Sequence, residues 1–289
     1  MSATTLGDLV GRVARAYGHY LRGTATGGST STVVDSAALT EANDFWNNHR
    51  VYIVEDAGGA GAAPEGEERQ VTDHNQGTTT LTVSPAFTAA VATGDVYEIL
   101  PARRDDIVEA INQAIRSAGD TWLVPVEDTS SVTVGVGDFD YSLPADLVAL
   151  LAVWRREDAS SAWTVVPPAH WRMYGTPGSL NLYFNTLDSV DAGDTLRLDY
   201  LARVSQLEDD TDTLGIGEPA EDELVQYVVE YAQGVLHYQA GSRGVNTGDF
   251  RARYTMAQTM FELAESRKRK VRARWVGTVH PARWTRSRG

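Results

Sequence analysis

Apolar residues recur every three or four positions in four stretches of the chain, and this spacing predicts four amphipathic helices. The first covers residues 5–22 and the second Asp105–Ala118. The third carries its apolar stripe from Leu224 to Leu236, and the fourth covers Asp249–Arg269. The residues expected to pack the last three helices together are Ile107, Ile111, Ile115, Leu224, Val228, Val235, Phe250, Tyr254 and Phe261.

Between these helices the pattern changes to short apolar runs bounded by Gly, Asn, Asp and Pro, which is typical of strands and tight turns. In the first such region the strands are predicted at Thr32–Val34, Arg50–Glu55, Arg69–Asp73, Thr78–Val83 and Val96–Leu100. In the second they are predicted at Ser131–Val136, Phe139–Leu143, Leu147–Trp154, Trp163–Val166, Asn181–Asn185 and Thr195–Leu201. The segment Thr26–Ser31, rich in Gly, Ser and Thr, indicates a flexible connector.

These elements together predict an α+β protein. Its core would be a helical bundle, made of the terminal helical hairpin and the middle helix, with two inserted antiparallel β regions and an extended C-terminal segment. The predicted domains are an N-terminal helix and linker at 1–31, a small all-β module at 32–100, a core at 101–270 and an extended basic segment at 271–289.

Charge is distributed unevenly along the chain. The sequence has 25 Lys and Arg against 39 Asp and Glu, a net charge of −14. Residues 267–289 hold nine of the bases and no acid, so residues 1–266 have 16 bases against all 39 acids, a formal charge of −23. An acidic body is poorly suited to grip nucleic acid, because phosphate contacts need a basic surface. A basic segment on such a body indicates a partner.

This basic arm, Arg267–Gly289, also carries Trp275, Trp284 and three valines, and aromatic residues beside arginine are typical of interface anchors. We favour docking of the arm into an acidic crevice of another protein. The alternatives are a solvated tail and direct binding of nucleic acid by Arg with Trp stacking. The residues expected to make the contact are Arg267, Lys268, Arg269, Lys270, Arg272, Arg274, Trp275, Arg283, Trp284, Arg286 and Arg288.

No metal site, cofactor or catalytic centre is predicted. The chain has no cysteine, and its six histidines show no pair at the spacing of a helical zinc site. His237 is expected to serve in packing or at an interface. Asp210–Glu221 copies much of a calcium-loop spacing, but Leu214 stands where an oxygen ligand is needed, so an acidic linker is favoured. Without a Gly-x-Ser-x-Gly elbow, we do not expect an enzyme.

The sequence shows no targeting or membrane-spanning segment. Its first residues lack a basic stretch followed by an apolar one. The longest apolar run, Leu147–Trp154, is far below the ~20 residues that cross a bilayer. We therefore expect synthesis in the cytoplasm and no membrane partner.

Three segments resemble the head-to-tail connector adaptors, or neck proteins, of tailed bacteriophages. Asp106–Ile115 is similar to the helix that opens the core of such adaptors. Phe139–Val148, with its Tyr-Ser-Leu-Pro phrase, resembles a strand ending in adaptors and in tail tubular proteins of short-tailed phages. The third is the terminal helical hairpin followed by the basic arm. The resemblance covers about residues 101–289.

The resemblance implies a structural virion protein in the neck between head and tail, assembled as a dodecameric ring under the portal. The nine packing residues would form the ring core around a DNA channel, and the arm would insert between portal subunits. The implied partners are the portal, a further neck or tail protein, other copies of the chain, and DNA that passes without sequence-specific binding. A negative lumen would let the duplex slide.

Two alternatives remain open. Residues 32–100 depart from minimal adaptors, and their β-rich, Thr- and Gly-rich character is similar to modules of tail fibres. A fibre or carbohydrate-binding virion protein would place function in that module and form trimers. A DNA-binding protein would instead use the arm, and its affinity would fall steeply with salt.

Overall fold

The structure, a computed structural model, describes residues 3–130, 132, 134–135, 140–176, 178–185, 191, 193–217, 220–243 and 247–275, without the side chains of 243, 247–248 and 272–275. The chain divides into two compact units. The first takes its residues from Ser2–Ser117, Leu207–Thr213 and Val225–Gly289, and the second from Ala118–Gln206 and Leu214–Leu224.

A seven-stranded antiparallel sheet forms the β part of the first unit, in the order β1-β7-β4-β5-β6-β3-β2. Its strands are β1 Leu21–Thr24, β2 Gly27–Ser29, β3 Thr32–Val34, β4 Arg50–Glu55, β5 Glu68–Asn75, β6 Thr80–Ser84 and β7 Val96–Leu100. Alternate apolar residues of these strands, among them Val51, Ile53, Leu81 and Ile99, are fully buried in one core. Since successive side chains of a strand point to opposite faces, one face of the sheet carries these apolar residues and covers the core.

The strands predicted at Thr32–Val34, Arg50–Glu55 and Val96–Leu100 are present at those bounds, and two others at shifted bounds in β5 and β6. The prediction of a flexible connector at Thr26–Ser31 is wrong. Its residues Gly27–Ser29 form β2, which pairs with β3. A Cβ on Gly28 would lie 2.4 Å from the Thr32 carbonyl oxygen, so this approach needs glycine. Because β2 consists of Gly and Ser, it lacks the alternation of apolar and polar residues by which strands are predicted from sequence.

The described residues form four α-helices, α1 Leu6–Tyr17, α2 Arg104–Ala118, α3 Ala220–Arg243 and α4 Thr247–Trp275. Helix α1 begins with a capping box in which Thr5 and Asp8 bond each other's backbone N–H groups. It ends at Tyr17, earlier than the predicted residue 22, because Gly18 has extended backbone and the chain then enters β1.

The segment Leu207–Thr213 is fixed to the helices of the first unit. The buried Asn112 side chain of α2 donates to the Leu207 carbonyl oxygen and accepts from the Leu207 N–H, both at 2.9 Å. Thr5 forms an antiparallel bridge with Thr213, and Arg104 pairs with Asp210. These contacts explain why an apparent linker belongs to the first unit.

The second unit contains two antiparallel sheets, in the orders β11-β10-β14-β8 and β12-β13-β9. The strands are β8 Leu123–Asp128, β9 Asp140–Ser142, β10 Leu147–Arg156, β11 Thr164–Val166, β12 Trp171–Thr176, β13 Ser179–Phe184 and β14 Thr195–Arg203. Both sheets contribute to one apolar core that includes Val153 of β10, Leu182 of β13 and Leu198 of β14.

Five of the six strands predicted for this region are present with shifted bounds, as β9, β10, β11, β13 and β14. The sixth, at Ser131–Val136, lies mostly outside the described residues. Strands β8 and β12 were not predicted. Four of the six β12 residues are exposed, so its sequence has no regular apolar alternation.

The α+β class and the antiparallel sheets are confirmed, whereas the helical-bundle core and the four domain boundaries stay predictions. Within the described parts of the chain, no helix is long and apolar enough to span a bilayer.

Candidate interaction surface on the terminal helices

Helices α3 and α4 run antiparallel and pack through aromatic side chains. The rings of Tyr231 and Phe261 lie 5.0 Å apart, and those of Tyr238 and Tyr254 lie 6.4 Å apart. A Cβ on Gly234 would lie 2.8 Å from the Phe261 ring. Glycine at this position therefore lets the Phe261 ring lie directly on the backbone of α3.

The nine predicted packing residues fall into two groups. Six are buried, namely Ile107, Ile111, Ile115, Leu224, Val228 and Val235. Phe261 is half-buried, whereas Phe250 and Tyr254 keep 42% and 40% of their surface exposed. Periodicity correctly places all three on one face of α4, but it does not show that the face is covered only in part.

The first two residues of the basic arm hold the helices together. Arg267 donates to both carboxylate oxygens of Glu230 on α3, from Nε at 3.1 Å and from Nη2 at 2.6 Å. Lys268 Nζ donates to the carbonyl oxygen of Ser117 in the last turn of α2. A cation stabilises this end of a helix, where carbonyl groups lack intrahelical partners. Tyr227 of α3 donates to the Ser117 hydroxyl at 3.0 Å, so α2, α3 and α4 meet there.

The basic run at 267–270 lies inside α4, and the helix continues to Trp275. The first five residues of the segment predicted to be extended, Val271–Trp275, are therefore helical, and Val271 is 2% exposed. Arg269 and Lys270 are exposed on α4. The helical backbone also includes Arg272, Arg274 and Trp275, whereas Arg283, Trp284, Arg286 and Arg288 lie outside the described residues.

Two apolar patches on this hairpin face solvent. The first, called the aromatic patch, consists of Tyr238, Phe250 and Tyr254, in which the Phe250 and Tyr254 rings stack at 5.8 Å. The second, called the methionine stripe, consists of Met256, Met260 and Leu263. Met256 and Leu263 are 51% and 48% exposed, and Met260 is half-buried. Exposed apolar surface of this kind commonly marks a contact site.

His237 packs against α1, with its ring 4.8 Å from the ring of Tyr17. Arg253 of α4 donates to the Tyr17 hydroxyl at 3.4 Å. Burial lowers the pKa of His237 below its usual value, and the positive charge of Arg253 lowers it further. This position agrees with the packing role expected for His237.

Two clefts lie beside the start of α2 and share Arg50 and Arg103. One has a volume of about 370 Å³ and is also lined by Tyr17 and Leu236, and the other has a volume of about 480 Å³. Glu68 lines the second cleft and accepts from the Arg104 N–H at 2.6 Å, which caps α2. Burial raises the pKa of the Glu68 carboxyl. Sequence reasoning missed these clefts, because distant segments form them.

In the acidic segment Asp210–Glu221, which copies much of a calcium-loop spacing, two carboxylates bind groups of the chain itself. Asp210 pairs with Arg104, and Asp212 Oδ2 accepts from the N–H groups of Glu208 and Asp209 at 2.8 and 2.9 Å. Among the described residues, no three His, Asp or Glu side chains come together as ligands for a metal ion. The described surface does offer exposed aromatic, thioether and basic side chains, which are suited to macromolecular contact.

Comparison with protein families places the chain among adaptor proteins. The model of the SU10 adaptor protein family matches residues 86–282, more than half of the sequence. The chain belongs to this family. The resemblance to phage head-to-tail adaptors, expected over about residues 101–289, is thereby confirmed as far as residue 282.

Among solved structures, one similar chain comes from the neck of an empty GTA particle, computed with C6 symmetry. The two chains are 18% identical, and the match covers 50% of this chain and 72% of the other, with a TM-score of 0.26. Comparison with curated proteins finds no significant match.

Proposed function

We propose that the protein is a structural adaptor of a tailed-phage virion. It lies in the neck between head and tail, where copies of the chain form a ring that joins the portal to the next neck or tail component. The observation that carries this proposal is the family match over residues 86–282, which includes α2, the strands of the second unit, α3, α4 and part of the arm. The role is mechanical and needs neither cofactor nor catalytic residue.

The ring is a dodecamer built around the helices of the first unit. Its packing is supported by the meeting of α2, α3 and α4 at Ser117, where Tyr227 and Lys268 both bond this residue. A rigid group of helices gives each subunit a fixed shape, which a closed symmetric ring requires.

The arm binds the portal. Since Arg267 and Lys268 have partners within the chain, the contact begins with the exposed Arg269 and Lys270 and continues through the residues after Trp275. A terminal arm adds contact area at each equivalent interface, so a ring of arms gains avidity that a single arm lacks.

The ring surrounds the channel through which DNA passes. Residues 1–266 carry a formal charge of −23, so a lumen formed by them would repel phosphate. Duplex DNA then moves through without sequence-specific binding. The seven-stranded sheet stands largely outside the matched residues and would serve as a mount for further tail components.

Truncation after Trp275 tests the arm without damage to the fold. Removal of residues 276–289 keeps all of α4, including the buried Val271. The truncated protein should retain the circular dichroism spectrum and melting temperature of the full chain but fail to join DNA-filled heads. A matched control replaces residues 276–289 with a Gly-Ser linker of equal length. Undiminished joining by the truncated protein would refute the portal-binding role.

A further inference from the structure

We infer that the aromatic patch and the methionine stripe are the two halves of one interface, through which the α3–α4 hairpin of one copy packs on the hairpin of the next copy. The inference rests on the proposed ring and identifies the surfaces that close it.

The two patches lie on opposite flanks of α4. Successive residues of an α-helix are about 100° apart around the axis, so Tyr254 and Met256 point about 160° away from each other. They are 40% and 51% exposed. The face between them includes Ala257 and Ala264, which are buried against the rest of the unit. Each hairpin thus presents two different apolar surfaces on its two sides.

This arrangement suits a contact in which unlike surfaces meet. In a two-fold dimer, one patch would pack on the same patch of the second copy. The other patch of both copies would then stay exposed. A head-to-tail contact instead gives one patch to each neighbour and covers both patches of every copy. Repetition of that contact gives a closed ring when the rotation between neighbouring copies divides a full turn, and the ring of the proposed function meets this condition. The occupant that accounts for both patches with one kind of contact is therefore another copy of this chain.

The chemistry of the two flanks is complementary. Methionine side chains are flexible and make favourable contacts between sulfur and aromatic rings, of about 0.3–1.5 kcal/mol each.

Each patch consists of three side chains, far less than the ~800 Å² per partner of a standard stable interface. A single contact is therefore weak, and closure of many equivalent contacts on the portal stabilises the ring. We expect the isolated chain to be mainly monomeric in dilute solution and to form the contact at high concentration or on the portal.

Engineered cysteines test this pairing cleanly, because the chain has no cysteine of its own. Three full-length variants are needed: Tyr254→Cys, Met256→Cys and the double variant. Each is assembled with the portal, treated with a short bismaleimide and analysed by denaturing electrophoresis. The double variant should give a ladder of linked chains that ends at the ring size, since every interface then holds one cysteine from each flank. Each single variant should stay largely unlinked.

Three results would overturn the inference. Equal linkage in a single variant would show that a patch pairs with itself. Assembled rings of the double variant without linked chains would show that other surfaces close the ring, and linkage to the portal would show a different occupant. These results leave the proposed function standing. If no variant and no parent chain assembles, with or without the portal, the proposed function fails together with the inference.

Discussion

Arg267 of α4 donates two hydrogen bonds to the Glu230 carboxylate of α3, from Nε at 3.1 Å and from Nη2 at 2.6 Å. The guanidinium and the carboxylate are 32% and 21% exposed. This pair joins the two helices at the point where the basic arm begins. The arm is therefore continuous with the packed part of the protein and leaves it as a helix.

The Arg267–Glu230 pair should contribute measurably to stability. Arg267→Ala is expected to lower the free energy of unfolding by about 1–2 kcal/mol, because it removes a partly buried bidentate pair. Arg267→Lys should lose most of this, since an ammonium cannot make both hydrogen bonds in a planar fork. Urea denaturation measures the effect. Arg269→Ala, at an exposed neighbouring position, is the control and should stay within about 0.5 kcal/mol of the parent. Equal losses for Arg267→Ala and Arg269→Ala would show that the pair is energetically unimportant.

Close packing at Gly234 should be detectable by a larger side chain. Gly234→Leu is expected to destabilise the protein by about 2 kcal/mol, because its side chain would occupy the position of the Phe261 ring. Phe261→Ala opens that space, so the double variant should lose less than the sum of the two single losses. Thermal denaturation of the four proteins gives the coupling. Strict additivity would contradict the contact.

Much of the helical structure could be predicted from sequence, because buried residues such as Ile107, Ile111 and Ile115 repeat at helical spacing. The C-terminal end of α4 could not be predicted from this spacing. The sequence predicts an end at Arg269, yet the helix continues to Trp275, since Arg and Lys are good helix formers and Val271 continues the buried face.

The partners of the arm's first residues also escape sequence analysis. Glu230 is 37 positions from Arg267, and Ser117 is 151 positions from Lys268. Only the tertiary fold brings such groups together. For the same reason, sequence reasoning identified a charged segment but not the two exposed apolar patches, whose residues share helical faces with buried ones.

Stability should depend on pH through His237. Burial and Arg253 lower the pKa of His237, so the unfolded chain takes up a proton near the ordinary value of 6.5 and the folded chain only at lower pH. The contribution is fully present above pH 6.5 and is lost as the pH falls toward the folded-state value.

His237→Gln should therefore reduce the loss of stability between pH 7.5 and 5, measured as urea midpoints at several pH values. Burial also lowers the pKa of His49, so the His49→Gln/His237→Gln double variant should depend still less on pH. An unchanged pH dependence in His237→Gln would contradict this assignment.

The tryptophans of the arm should contribute to portal binding even at high salt. Trp275→Ala and Trp284→Ala are each expected to weaken binding by about tenfold or more, because aromatic anchors dominate many interfaces. Apolar contact is not screened by salt, whereas attraction between exposed charges is. Alanine variants of Arg283, Arg286 and Arg288 are the matched comparison, and their effect should shrink as salt rises. Binding to immobilised portal at low and high salt separates the two groups. A Trp effect that disappears at high salt would favour a purely electrostatic arm.

The central claim is that copies of this chain form a ring on the portal. Electron microscopy of the protein with its portal, combined with native mass spectrometry of the same sample, tests it most directly. The account predicts a twelvefold ring on the portal, with the chain alone mainly monomeric in dilute solution. A stable trimer, or a chain that forms no ring when the portal is present, would contradict it.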